Sequence, residues 1–319
     1  MSEASLANRQ QLEQAVAVLA ATTQLINDAL SALKARMTEA GRVVPARLDE
    51  HQLALYELAV SWSECTAARF MLNHAQRLAD ESAASSAFPT RLAHLFCAEA
   101  VSNTLNRLRT RPADFGLTHA AIGTVTADTR AAEFLEQQLA AQNIAAIGKL
   151  VLDRNGDLGP DLLDEHHTMM RDSFSRFADE VVAPLAEEVH RHDLIIPDEI
   201  LEPLKEMGMF GLSIPASYGG LQEDDKEDTL GMIVVTEELS RGSLGAAGSL
   251  ITRPEILARA LLKGGTEEQK HHWLPQIALG EPLCAVAVTE PNYGSDVAGV
   301  RLRATATEGG WLLNGAKTW

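Results

Sequence analysis

Apolar residues recur at three- and four-residue steps through most of the first half of the chain, which predicts amphipathic helices. From about Leu6 to Met37 the chain is rich in Ala, Leu and Gln with few breakers, and the stripe runs through Leu12, Val16, Leu19 and Ile26. Gly41 and Pro45 end it. A second helix places Leu55, Leu58, Trp62, Cys65, Ala68 and Leu72 on one face, and the Ser-rich stretch from Ser82 to Ser86 with Pro89 predicts the break after it. A third helix carries Leu92, Leu95, Phe96, Ala100, Leu105 and Leu108, and a fourth spans Thr129 to Lys149. Four helices with short connections predict a bundle.

Asp153 to Gly159 reads as a linker. Helical spacing returns from His166 to His190, with Met170, Phe174, Phe177 and Val181 inward and a kink or restart at Pro184. The next helix starts near Asp198 as N-cap, buries Ile200, Leu204 and Met207, and stops at Gly208. A turn at Ile214-Pro215 and Tyr218-Gly219-Gly220 leads to an acidic loop from Glu223 to Asp228. Helices follow from Thr229 to Ser240 and from Pro254 to Leu262, and Gly264 to Lys270 supplies a stop and a new N-cap.

From Leu283 the period changes. Cys284 to Val288 reads as a buried strand ending at the Thr289-Glu290-Pro291 step, and further strands run from Val300 to Thr307 and from Trp311 to Leu313 around a Gly309-Gly310 turn. The turn at Asn292, Gly294, Ser295 and Asp296 offers backbone N–H groups and a hydroxyl to an anion, as a phosphate-bearing cofactor requires. On these residues alone the same turn reads equally as surface punctuation.

Among the 319 residues, 27 are basic and 44 acidic, a net charge of −17. That balance argues against nucleic acid and against an anionic membrane surface. Cys65, Cys97 and Cys284 form neither a disulfide framework nor a zinc pattern, so a reducing, cytoplasmic setting is expected. No signal peptide and no apolar run of membrane-spanning length is expected. His166-His167 and His271-His272 lack the i, i+4 ligand spacing, and no metal site is expected.

The run Val288-Thr289-Glu290-Pro291 through Gly294-Ser295-Asp296, with Asn314-Gly315-Ala316-Lys317-Thr318-Trp319, resembles the flavin-binding signature of acyl-CoA dehydrogenases. Upstream, Gly208-Met209-Phe210-Gly211, Tyr218-Gly219-Gly220, Glu237-Glu238-Leu239-Ser240-Arg241, Gly265 to Lys270 and Trp273-Leu274-Pro275 resemble that family's N-terminal helical domain, in order. Leu95 to Ala100 and Tyr56 to Ala59 also resemble its helical C-terminal domain.

The implied fold is mostly α: a helical N-terminal extension at 1–155, the acyl-CoA dehydrogenase N-terminal helical domain at 156–281, and the start of the middle β domain at 282–319. Three strands leave an edge unpaired, so a fragment of a longer protein is expected. The resemblance implies FAD, an acyl-CoA substrate, an electron-transferring flavoprotein as acceptor and a homo-oligomer. It places Val286, Val288 and Thr289 along the flavin, Gly294 and Ser295 at its pyrophosphate and at CoA, and Trp319 on the isoalloxazine. It implies a general-base glutamate beyond Trp319, with Glu290 a structural hydrogen-bond acceptor. Arg241 and Arg253 flank a shortened segment and could each receive a second carboxylate, which a dicarboxylic substrate would carry. An oxidase of the same fold and a non-catalytic interaction module remain as alternatives.

Overall fold

The computed structural model describes residues 3–319 other than Ser82, Gly156 and Leu158, with backbone alone for 3–9, 83 and 84. Two units are resolved, Met1–Asp161 and Leu162–Trp319.

The first unit is helical. α1 (Glu3–Met37) leads through a short hairpin, β1 (Thr38–Glu39) with β2 (Arg42–Val43), into α2 (Pro45–Glu50), α3 (Gln52–Glu81) and α4 (Ala83–Thr110). Three shorter helices follow: α5 (His119–Ala127), α6 (Thr129–Leu139) and α7 (Ala141–Asp153). The core joins Leu19, Ile26 and Leu33 of α1 to Leu58 and Leu72 of α3, Leu105 and Leu108 of α4, Ile122 of α5 and Phe134 of α6. The free thiols of Cys65 and Cys97 lie in this interior, and burial pushes the Cys97 thiol up to about 12.

Several expectations shift here. Val16 and Trp62 point outward, 50% and 43% exposed. In Ala-rich helices the small side chain serves on either face, so Ala15 and Val18 take the core positions instead. α5 lies where no helix was expected. The helix expected over Thr129 to Lys149 divides at Ala140 (ψ 132). There Asn143 Nδ2 donates to the Gln138 carbonyl at 2.8 Å, capturing an acceptor that a continuous helix would have used. Of the expected Ser-rich break, Ala83 onward is already in α4; Ser82 lies outside the described residues, as do Gly156 and Leu158 of the linker. Pro89 sits within α4, where it removes one rung of the ladder. The stretch Gln10–Met37 is, contrary to expectation, long and apolar enough to cross a membrane by length and composition; its Leu19, Ile26, Ala29 and Leu33 are buried in the bundle.

The second unit opens with α8 (Glu165–Phe177), a widened π turn at Ala178–Val182, and α9 (Ala183–Arg191). The wide turn precedes Pro184: the Ala183 N–H reaches back to the Ala178 carbonyl, so the register is reset before the residue that cannot donate. α10 (Asp198–Glu206) has Pro197 at its cap, not Asp198 as expected. Pro197 is held extended (φ −65, ψ 148), and Asp198 instead faces the positive helix end from the first turn. Gly208 closes the helix at φ +72, in the left-handed region that glycine enters without strain.

α11 (Thr229–Ser243), a second widened turn at Leu244–Gly248, α12 (Ser249–Gly264) and α13 (Glu267–Ala278) complete the helices. The N-cap expected between Gly264 and Lys270 is Thr266, which forms a reciprocal capping box with Gln269 on α13. Phe174, Phe177, Val182, Ile200, Leu204, Val235 and Leu239 build one apolar cluster, and Ile214, Ala258, Leu274 and Ile277 build a second.

Only one hairpin follows among the described residues, β3 (Arg303–Thr307) with β4 (Gly310–Asn314), in antiparallel register from Arg303↔Asn314 to Thr307↔Gly310. Its turn is Glu308-Gly309, one residue earlier than expected. The buried strand expected at Cys284–Val288 does not form: the segment pairs with no strand, and Val286 and Val288 are 38% and 46% exposed. A β-branched run has no reason to bury without a ladder partner or a facing layer.

Candidate functional site

The two halves of the signature meet around one carboxylate. Glu290 and Tyr293 exchange backbone hydrogen bonds (3.0 and 3.1 Å) across the Pro291-Asn292 corner, which turns the chain back on itself. The Glu290 side chain is buried and accepts the N–H groups of Arg301 at 2.7 Å and Leu302 at 2.8 Å. These two bonds explain why the strand expected from Val300 begins only at Arg303: the intervening donors are already used. Lys317 Nζ then donates to Glu290 Oε1 at 3.1 Å and to the Val288 carbonyl at 2.7 Å, and the Thr318 N–H reaches the Thr289 carbonyl at 2.9 Å.

Residues 288–290 are thereby fastened to 301–302 and to 317–318. The two backbone N–H groups, with Lys317 beside them, hold the Glu290 carboxyl below the usual range. Glu290 is the structural acceptor that the sequence implied. Lys317 is the partner the sequence reading gave no role; its signal was a lone cation two residues before Trp319. Gly299 serves the same corner, because a Cβ there would fall 2.4 Å from the Tyr293 ring, over which Arg301 also lies at 5.3 Å.

The cofactor candidates fall on the outside of this clasp. Gly294 and Ser295 are exposed, and a Cβ on Gly294 would meet nothing within 4 Å. No packing within the chain therefore requires a glycine there, and the position leaves room for a bulky group to approach the backbone. Among the described residues no hydrogen bond uses the Thr289 or Ser295 hydroxyl. Val286 and Val288 present half-exposed apolar faces, and Trp319 is 86% exposed. Open donors, apolar faces and a free indole fit a flavin nucleotide. At the base of the segment, Cys284 packs against the cluster of Ile214, Ala258, Leu274 and Ile277, which anchors it to α12 and α13.

The two arginines differ. Arg241 bonds Asp179 at 2.6 Å, Glu238 at 2.9 Å and the Ser175 hydroxyl at 3.0 Å, so its charge is already matched across α8, the first widened turn and α11. Arg253, on α12, makes one weak contact to the Ser249 hydroxyl at 3.4 Å. A unit carboxylate would find its partner more readily at Arg253.

His167, to which the sequence reading gave no role, bridges Asp164 (2.7 Å) and Asp228 (2.9 Å). Each aspartate caps a helix, accepting from the His167 N–H at the start of α8 and from the Gly231 N–H at the start of α11.

Comparison with known proteins matches residues 164–281 to the acyl-CoA dehydrogenase N-terminal domain. A (2S)-methylsuccinyl-CoA dehydrogenase of Cereibacter sphaeroides is 38% identical over 309 residues, 92% of this chain and 53% of its own length. A mitochondrial 2-methylacyl-CoA dehydrogenase of Solanum tuberosum is 34% identical over 163 residues, covering 50% of this chain and 38% of its own. A solved glutaryl-coenzyme A dehydrogenase glutaryl-CoA complex is 31% identical over 50% of this chain and 40% of its own, with a TM-score of 0.44. The chain thus spans about half the length, or less, of these relatives. Residues 164–281 thus carry the acyl-CoA dehydrogenase N-terminal domain, and the chain is similar to a dehydrogenase of that family over 92% of its length.

Proposed function

We propose that the protein is an FAD-dependent dehydrogenase of an acyl-CoA thioester, converting (2S)-methylsuccinyl-CoA to mesaconyl-CoA and passing electrons to an electron-transferring flavoprotein. The observation that carries this reading is the extent of the similarity to the Cereibacter enzyme. It runs through both units at 38% identity, whereas the 2-methylacyl-CoA and glutaryl-CoA dehydrogenases match about half of the chain.

In this reading Thr289 and Ser295 supply hydroxyls to the flavin, Val286, Val288 and Trp319 exclude water from its ring, and Gly294 admits its pyrophosphate together with CoA. When bound, FAD supplies the hydride acceptor for the substrate's β carbon. The clasp of Glu290 and Lys317 holds these residues in place. Glu290 is not the base that takes the α proton, since both its oxygens accept backbone N–H groups. Arg253 receives the second carboxylate, a charge that a neutral acyl chain lacks.

The test is anaerobic titration of the full-length protein, which would include the general-base glutamate expected beyond Trp319. Bound flavin absorbance that bleaches with (2S)-methylsuccinyl-CoA, and returns on adding the electron-transferring flavoprotein, is the expected result. Fast return in air alone would identify an oxidase instead. Protein that takes up no FAD would overturn the reading. Arg253→Gln is expected to raise KM for methylsuccinyl-CoA by about tenfold or more, without a similar effect on a monocarboxylic acyl-CoA.

A further inference from the structure

A groove of about 430 Å³ runs between α1 and α3 in the first unit, within the size range of small-molecule sites. Its floor is apolar: Leu19, Cys65 and Leu72 are buried there. Val16 and Trp62 stand at its sides, large apolar groups left half exposed. The hollow exists because small residues, Ala20 and Thr23 on α1 and Thr66 on α3, line it where longer side chains would interdigitate.

Charge distinguishes this groove from its surroundings. The chain has 44 acidic residues, yet none lines it. Its one charged lining residue is Arg69, which forms no ion pair among the described residues; the guanidinium lies 5.3 Å from the centre of the Phe70 ring. The carboxamides of Asn27 and Asn73 also line the groove without a hydrogen bond among the described residues. By contrast, another groove of the unit, about 510 Å³ between α1 and the α5–α6 pair, includes Glu13 and Asp128, and its Arg130 is paired with Asp128.

An apolar trough with an uncommitted cation and two free carboxamides complements an amphiphile with one negative end. We propose that this groove is a binding site for a small aliphatic monocarboxylate, its chain against Val16, Leu19, Trp62 and Leu72 and its carboxylate on Arg69. The site lies within the first unit and does not depend on the flavin reading.

Calorimetric titration of the full chain with octanoate, octanamide and octylammonium tests it. Octanoate is expected to bind in the micromolar-to-millimolar range, octanamide more weakly and octylammonium not at all. Arg69→Gln is expected to weaken octanoate about tenfold or more and to leave octanamide unchanged. Ala20→Leu fills the hollow from α1 and should abolish both; Thr66→Leu does so from α3 should the first variant fold poorly. Octanoate should also alter the tryptophan fluorescence, and Trp62→Phe should remove that response.

No octanoate binding in that range, or equal affinity in Arg69→Gln, overturns the proposal. So does self-association, seen in sedimentation, that Thr66→Leu abolishes while octanoate has no effect, since the groove would then be covered by a second copy.

Discussion

Each unit buries or half-buries a histidine, and the two are treated in opposite ways. In the first, His94 is enclosed in the bundle against the edge of Phe134, 6.0 Å between ring centres, and its Nε2 has no hydrogen-bond partner among the described residues. Burial alone pushes its pKa down to about 4. In the second, His167 joins two capping aspartates, and the bond to Asp228, reinforced by Asp164, raises its pKa above 6.5. One unit is built on aliphatic burial and admits a polar ring only in its neutral form. The other is made of short helices broken by prolines and widened turns, and it spends charges to hold their ends. Mild acid should therefore loosen the bundle and keep the His167 contact between the helix ends, whereas alkali should weaken that contact and leave the bundle as it is.

The largest expected effect is on the bundle's packing. Phe134→Ala removes a fully buried ring where α6 meets the core and should cost about 3–5 kcal/mol, read from urea unfolding or from exchange of α4 and α6 amides. Next comes the pH response of His94. The unfolded histidine binds protons from pH 6.5 downward, while the folded one resists until about pH 4. Stability is complete above the upper value and falls by about 3 kcal/mol across that window. His94→Leu should flatten the dependence, and a slope that survives it would break the contrast between the units.

His167 tests the other half, with the sign reversed. Its contribution is fully present below pH 6.5 and is lost as the pH rises through its raised folded value. His167→Gln should cost about 1 kcal/mol in mild acid and little in alkali, measured by denaturant titration at several pH values. The smallest effect is local: Thr266→Ala takes the side-chain acceptor from the α13 capping box and should lower stability by about 1 kcal/mol or less, independent of pH.

What could be read from the residues was what local chemistry decides. The N-cap ahead of α13, the Gly208 stop, the trouble ahead at Pro184 and the role of Glu290 as an acceptor all depend on neighbours within a few positions or on a motif with fixed spacing. The phase of α1 was harder, because alanine gives no contrast between faces, and Val16 looked as good a core residue as Val18. The division at Ala140 turned on one Asn143 amide. The strand assigned to Cys284–Val288 failed because composition states only what a segment would do with a partner. At the site, the signature's two halves were evident, but not that Lys317 and Thr318 lie against Val288 and Thr289. That proximity comes from the hairpin between them.

The widened turns at Ala178–Val182 and Leu244–Gly248 bear on how this scaffold tolerates gain or loss of residues. A π turn holds one residue more than the α pitch needs, and removing it would rotate everything downstream by about 100°. In α9 such a rotation would carry Leu185 and Val189 off the apolar cluster they pack against, while Gly242, whose Cβ would sit 3.1 Å from Val182, would lose its close crossing. Single-residue deletions in these two turns should thus be far more disruptive than deletions in the acidic loop from Glu223 up to, but not including, the cap Asp228, so length variation among descendants of this chain should gather there and spare the bends.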